Sequence, residues 1–105
     1  MTFNMAEIIS AEKLREQKDE FVIIDVRESD ELAGREIDGS INIPLGLAVR
    51  NVRQGKLDHL KGKKIVCHCS AGYRGNIAAE ELCRCGIQAV NLEGGFEAWY
   101  KLNPK

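Results

Sequence analysis

The chain has 105 residues with a formal net charge of −1 at pH 7, and 44% of its residues are hydrophobic and 30% charged; this is enough for one domain, residues 1–105, around one core. It carries no basic run and no stripe of interleaved aromatics, which argues against nucleic acid and anionic membranes as partners. No apolar segment approaches the roughly 18 residues of a membrane span, and Met1-Thr2-Phe3-Asn4-Met5-Ala6-Glu7 lacks the parts of a signal peptide, so a cytoplasmic location is expected.

Ile8-Ile9 reads as a short first strand, and Ser10 as the N-cap of a helix from Ala11 to about Gln17. After the polar turn Lys18-Asp19-Glu20, the run Phe21-Val22-Ile23-Ile24-Asp25-Val26 is apolar and β-branched, the pattern of a strand covered on both faces. Asp25 is the exception in that run. Its burial demands a partner, and fixing the following loop through backbone N–H groups explains it better than catalysis does. Glu28 to Ala33 allows only a short helix before Gly34. Asp38-Gly39-Ser40 turns into a third strand, Ile41-Asn42-Ile43, stopped by Pro44. Helical spacing follows from Leu45 to about Arg53, with Leu57 and Leu60 continuing onto the core. Gly62-Lys63-Lys64 then leads into a fourth strand, Ile65 to His68.

Directly after that strand comes Cys69-Ser70-Ala71-Gly72-Tyr73-Arg74-Gly75, followed by a helix pattern at Ile77, Ala78 and Leu82 that ends at Gly86. A strand–loop–helix turn of this kind converges backbone N–H groups on one point, in front of the positive end of a helix dipole. A thiol there should have a depressed pKa, its thiolate stabilised by those donors and by Arg74. The reading is a nucleophilic Cys69 in an anion cradle. Ala89-Val90-Asn91-Leu92 forms a fifth strand. Glu93-Gly94-Gly95 permits close backbone approach, and Phe96 to Tyr100 packs as a last helical turn or two, with Phe96 and Trp99 in the core. Alternation of strands and helices along the whole length implies an α/β fold: a five-stranded parallel sheet with helices on both faces. Ligands in such folds bind beyond the carboxyl ends of the strands, where Cys69 lies.

Three stretches, in order, carry a family resemblance. Asp25-Val26-Arg27-Glu28 with Ile37-Asp38-Gly39-Ser40-Ile41-Asn42-Ile43-Pro44 resembles the first signature of the single-domain rhodaneses. Cys69 to Gly75 resembles their active-site loop, and Asn91-Leu92-Glu93-Gly94-Gly95-Phe96-Glu97-Ala98-Trp99 their closing signature. The match runs from about residue 7 to 99. The Arg-Gly ending of the loop looks most like the rhodanese domains of coenzyme A-disulfide reductases. Two departures stand out. Arg35 and Glu36 occupy positions that usually hold Gly-His, a change that concerns packing. Gly75 stands where serine is commoner, which removes a hydroxyl donor and leaves the cradle to backbone N–H groups.

The resemblance implies a rhodanese-like fold and sulfurtransferase activity: Cys69 takes the outer sulfur of thiosulfate or a low-molecular-weight persulfide, and a thiol or cyanide acceptor removes it. The backbone of Ser70, Ala71, Gly72, Tyr73, Arg74 and Gly75 would bind the anionic persulfide, with Arg74 attracting the donor's sulfonate or the leaving group. No cofactor and no metal is expected. A protein acceptor or a fused reductase is an alternative partner. Met1 and the tail Leu102-Asn103-Pro104-Lys105 favour an independent protein over an excised domain.

The main competitor is a phosphatase or arsenate reductase, because His68-Cys69 followed by an arginine imitates a tyrosine-phosphatase loop. Only four residues separate Cys69 from Arg74, however, where those phosphatases have five, and no aspartate is obviously placed as the general acid. A non-catalytic sulfur-carrier or binding module is the third reading. The other cysteines are Cys67, Cys83 and Cys85. In a non-secreted chain they read as free thiols, and neighbours two apart on a helix point roughly 200° away from each other, so Cys83 and Cys85 cannot share a metal. Cys67 is most simply a core residue, with a resolving role as the alternative. Cys83 and Cys85 are packing or surface thiols, with sulfur relay as the alternative. His68 reads as a satisfied strand histidine and His59 as a surface residue. Tyr73 either lines the pocket mouth or covers the loop.

Overall fold

The computed structural model describes residues 6–104; the residues read above as lacking a signal peptide fall outside that range up to Met5, as does Lys105. Five parallel strands form one sheet, β1 (Ile8–Ile9), β2 (Phe21–Asp25), β3 (Ile41–Asn42), β4 (Lys64–His68) and β5 (Ala89–Leu92), in the spatial order β1-β5-β4-β2-β3. β4 is therefore the middle strand. Between them run α1 (Ala11–Gln17), α2 (Ser29–Leu32), α3 (Leu45–Arg53) and α4 (Tyr73–Arg84), with single 3-10 turns at Lys18–Glu20 and Asp58–Leu60, and α5 (Gly95–Leu102) follows the last strand.

Strand alternation divides the apolar side chains between two cores. Ile23 of β2 and Val66 of β4 face Ala11 and Leu14 of α1 and Phe96 and Trp99 of α5. Ile24, Ile65 and Cys67 face Ala48 and Val52 of α3 and Ala78, Ala79 and Leu82 of α4. Both faces of the sheet are thus covered, as the unbroken apolar run of β2 implied. Leu57 and Leu60 close the second core from below α3. Burying side chains such as Leu14, Ile24 and Val66 completely contributes about 1.5–3 kcal/mol each.

Helix ends follow their local chemistry. The Ser10 hydroxyl accepts from the Lys13 N–H at 3.1 Å, which starts α1 where the sequence placed it. At α2 the Glu28 and Glu31 side chains exchange hydrogen bonds with each other's backbone in a capping box, and Ala33 leaves the helix in the left-handed region at φ 48°. α4 ends before Gly86, at φ 86°.

Several boundaries differ from expectation. Val26 and Ile43 lie just outside β2 and β3, and Lys64 starts β4 one residue early. α5 continues past Tyr100 to Leu102, where the Asn103 side chain caps the Trp99 carbonyl at 3.1 Å.

In a parallel sheet all carboxyl ends point to one edge, and the segments after β2, β4 and β5 meet there. Asn42 organises the first of these. Its Nδ2 donates to the carbonyls of Asp25 and Arg27, both at 2.9 Å, while its Oδ1 accepts from the Ser29 hydroxyl at 2.9 Å. That network sets where α2, and with it Glu31, stands. Arg35 stacks its guanidinium over the Tyr100 ring and accepts on its carbonyl from Arg27 Nη2 at 2.8 Å, contacts of the packing kind expected for this residue.

Candidate functional site at the Cys69 loop

Cys69 follows β4 directly, and the chain between it and α4 is short enough to fold back over the sulfur. The Gly72 N–H donates to Cys69 Sγ at 3.1 Å. Gly72 itself is held from below, since its carbonyl accepts from Asn91 Nδ2 of β5 at 2.9 Å. Ser70 is half-buried and Ala71 exposed. Tyr73 opens α4 with its ring 77% exposed, so its side chain faces solvent and only its backbone belongs to the loop. Cys69 is only 2% exposed; the loop closes over it rather than leaving it at an open mouth.

Gly75 explains the tightness of this turn. A Cβ there would overlap Asn91 Oδ1 and come within 3.0 Å of His68 Cα and 3.2 Å of the Cys67 carbonyl oxygen. The absence of a side chain is therefore a matter of space: it lets the first turn of α4 lie against β4 and Asn91. To the lost hydroxyl donor read from the sequence, the structure adds this steric reason for glycine.

The closing signature buttresses the loop from the other side. Gly95, at φ 59°, lies so close that a Cβ would fall 2.6 Å from the carbonyl oxygens of both Cys69 and Ser70. With no side chain there, the start of α5 can donate directly: Phe96 N–H to the Cys69 carbonyl at 2.7 Å and Glu97 N–H to the Ser70 carbonyl at 3.0 Å.

Arg74 is less free than the sequence suggested. Its Nη1 and Nη2 form a fork on the Glu31 carboxylate of α2, at 2.6 and 2.8 Å, while Nη2 also reaches the Ser70 hydroxyl at 3.4 Å. The Glu31 hydrogen bond, chiefly, raises the Arg74 pKa above its ordinary value, and the charge of the Glu31 carboxylate adds to it. Glu31 in turn accepts from the Glu28 N–H at 2.7 Å. The Arg74 hydrogen bond, followed by that of Glu28, holds the Glu31 carboxyl at a pKa of about 2. A cleft of about 630 Å³ between α2 and α5 opens beside Glu31, walled also by Leu32, Arg35, Phe96 and Tyr100.

Beneath the loop lies a buried polar pair. Asp25 is fully enclosed and accepts from the Arg27 N–H at 3.0 Å and from Arg27 Nη2 at 2.7 Å, and Arg27 stacks over the Phe96 ring. Asp25 thus orders the loop after β2, as its place in an apolar strand implied. The β2–β4 register sets His68 beside it. His68 Nδ1 lies 3.3 Å from the Cys69 carbonyl oxygen, but its Nε2 has no hydrogen-bond partner among the described residues and stands 3.7 Å from Asp25 Oδ2. The expected satisfied histidine is therefore satisfied on one nitrogen only. Burial, chiefly, lowers its pKa, against the opposing pull of Asp25.

The remaining cysteines separate clearly. Cys67 is fully enclosed, and burial foremost pushes its thiol up to about 12, so it packs as a core residue. Cys83 is exposed with its thiol on the Ala89 carbonyl at 3.3 Å, and Cys85 is half-buried against the core. His59 is exposed. The loop residues and Arg74 were legible in the sequence. Glu31, Asn91 and the amides of Phe96 and Glu97 were not assigned to the site; the Glu28-x-x-Glu31 spacing was the available signal for the first.

Comparison with known proteins places this arrangement. A crystal structure of a rhodanese-related protein from Thermoplasma volcanium superposes with a TM-score of 0.78 at 32% identity, covering 91% of this chain and 92% of that one. The reduced coenzyme A-disulfide reductase–rhodanese protein (CoADR-RHD) of Bacillus anthracis superposes with a TM-score of 0.79 at 32% identity, over 94% of this chain but 17% of that one. In sequence, the chain is 34% identical over 84 residues to the Bacillus subtilis protein named "Putative sulfurtransferase YtwF", covering 80% of this chain and 78% of that protein. Against two longer curated relatives it spans only 45% and 59% of their length. The sequence profile of the rhodanese-like domain matches residues 10–102, and the chain belongs to the rhodanese-like domain family.

Proposed function

We propose that this chain, acting as one domain over residues 1–105, is a sulfurtransferase that carries a sulfane sulfur on Cys69. The family is generally one of sulfurtransferases, and the observation that supports the reading here is the Gly72 N–H aimed at Cys69 Sγ from 3.1 Å, with Arg74 reaching the hydroxyl of the adjacent Ser70. In the first half-reaction the Cys69 thiolate attacks the outer sulfur of thiosulfate. A Cys–S–S bond forms, the S–S bond of the donor breaks, and its electron pair leaves with sulfite. A low-molecular-weight persulfide donor releases a thiolate in place of sulfite. In the second half-reaction a thiolate or cyanide acceptor attacks the terminal sulfur, and the electron pair of the broken bond returns to Cys69. No net oxidant is required. Dividing the transfer in this way replaces one difficult displacement by two easier ones.

The remaining loop residues take supporting parts. The backbone N–H groups of Ser70 to Gly75 stabilise the charge on the terminal sulfur, and Arg74 favours departure of the anionic leaving group. The phosphatase alternative gains nothing from Asp25, which is enclosed and held by Arg27, so no proton for a leaving alkoxide comes from there. The four free thiols suit a reducing compartment such as the cytoplasm. A direct test is thiosulfate:cyanide turnover by the Cys69→Ser variant, with its fold checked by circular dichroism. Transfer is expected to vanish with the fold intact. Retained transfer would move the nucleophile elsewhere.

A further inference from the structure

Arg74 has two sides. Inward it reaches the hydroxyl of Ser70, the residue next to Cys69; outward both of its terminal nitrogens are taken by Glu31. That carboxylate is not a loosely placed surface charge. Its Oε2 is fixed by the Glu28 N–H at 2.7 Å within the capping box of α2, and α2 is set on the sheet edge by Asn42 and Ser29. The second guanidinium of this edge, Arg27, is neutralised by Asp25. A donor that engages Arg74 therefore does so next to a fixed negative charge, competing with a two-pronged carboxylate for the same fork.

The consequence depends on the charge of the donor. Thiosulfate brings two negative charges close to its reacting sulfur, so it meets both the competition and the repulsion. A hydropersulfide with an uncharged organic body brings only the charge of the persulfide itself. Resting on the sulfurtransferase reading, we propose that Glu31 is a donor-selectivity residue, which through Arg74 disfavours thiosulfate relative to organic persulfides. It touches neither reacting sulfur and acts by positioning and by charge.

The test is steady-state transfer to cyanide by the full chain, with thiosulfate and with benzyl hydropersulfide as alternative donors, for the wild type, Glu31→Gln and Glu31→Asp. For Glu31→Gln the ratio of kcat/KM for thiosulfate to that for the hydropersulfide is expected to rise roughly two- to fivefold, the size of one partly exposed charge interaction. The rise should come through a lower KM for thiosulfate and diminish at high salt. Glu31→Asp keeps the charge and should keep the wild-type ratio. If Glu31→Gln fails to fold, Glu31→Ala carries the same expectation. An unchanged ratio, or equal losses with both donors, would reduce Glu31 to a brace for Arg74 and overturn the inference. Absence of transfer by the wild type with either donor would instead overturn the sulfurtransferase reading on which it rests.

Discussion

The Phe96 backbone N–H donates to the Cys69 carbonyl at 2.7 Å, which ties the start of the last helix to the residue that bears the candidate nucleophile. Together with the Glu97–Ser70 bond, it joins two segments that lie far apart in the chain into one rigid support. The direction of the Cys69 side chain is thus set by backbone bonds on one side and by the Gly72 amide on the other.

Gly95 is the residue that allows this approach. In Gly95→Ala the new methyl would press on the Cys69 and Ser70 carbonyls in a backbone conformation that L residues avoid. A stability loss of about 1–3 kcal/mol is expected, with a loss of turnover larger than the residual fold would explain. Urea denaturation and thiosulfate:cyanide assays on the same preparation check it. A variant with wild-type midpoint and rate would show that the contact does not constrain the loop.

At Gly75 the obstacle is Asn91 together with the β4 backbone. Gly75→Ala is expected to lose about 1–3 kcal/mol by overpacking. Asn91→Ala should destabilise as well, through the lost bond to the Gly72 carbonyl. Because the added methyl and the Asn91 amide contend for one space, the double variant should lose less than the two singles combined, by at least about 0.5 kcal/mol. Strict additivity in a double-mutant cycle would place the obstruction on the backbone alone.

His68 supplies a pH signature. Its pKa is lowered in the folded state, mainly by burial, so the unfolded chain takes up a proton at higher pH than the folded one. Stability from this group is present above the unfolded value of 6.5 and is lost as the pH falls through and below it. Between pH about 7 and about 5.5 the wild type should lose stability steadily, and His68→Leu should lose most of that slope whatever its absolute stability. Equal slopes in denaturant midpoints across that range would mean that the ring charges without penalty.

Much of this was legible from the chain itself. The apolar β-branched runs of β2 and β4 announced strands covered on both faces, and the abrupt change from Val66-Cys67-His68 to a glycine-bearing loop and a helix pattern pointed to the candidate site. Asp25 was readable as a loop organiser because a carboxylate inside such a run has few other tolerable roles. The partners of the site residues were not readable. Glu31 and Arg74 are 43 positions apart, and Asn91 and Gly72 are 19 apart. Such pairs are fixed by sheet order rather than by any local pattern. For the same reason Arg74 looked like a free cation. Its counter-charge sits on a helix of four residues whose position depends on Asn42, in another strand. The length of α5 was missed differently: the stop at Asn103 and Pro104 was available in the sequence, but Lys101 and Leu102 were not counted into the helix.

The central claim, that sulfur is carried on Cys69, is tested most directly by mass spectrometry of the protein after exposure to thiosulfate, with fragmentation that separates Cys67 from Cys69. The account predicts a gain of one sulfur atom on Cys69, removed on adding cyanide with thiocyanate released. A gain located on Cys67, Cys83 or Cys85, or no adduct in protein that nevertheless turns over thiosulfate, would contradict it.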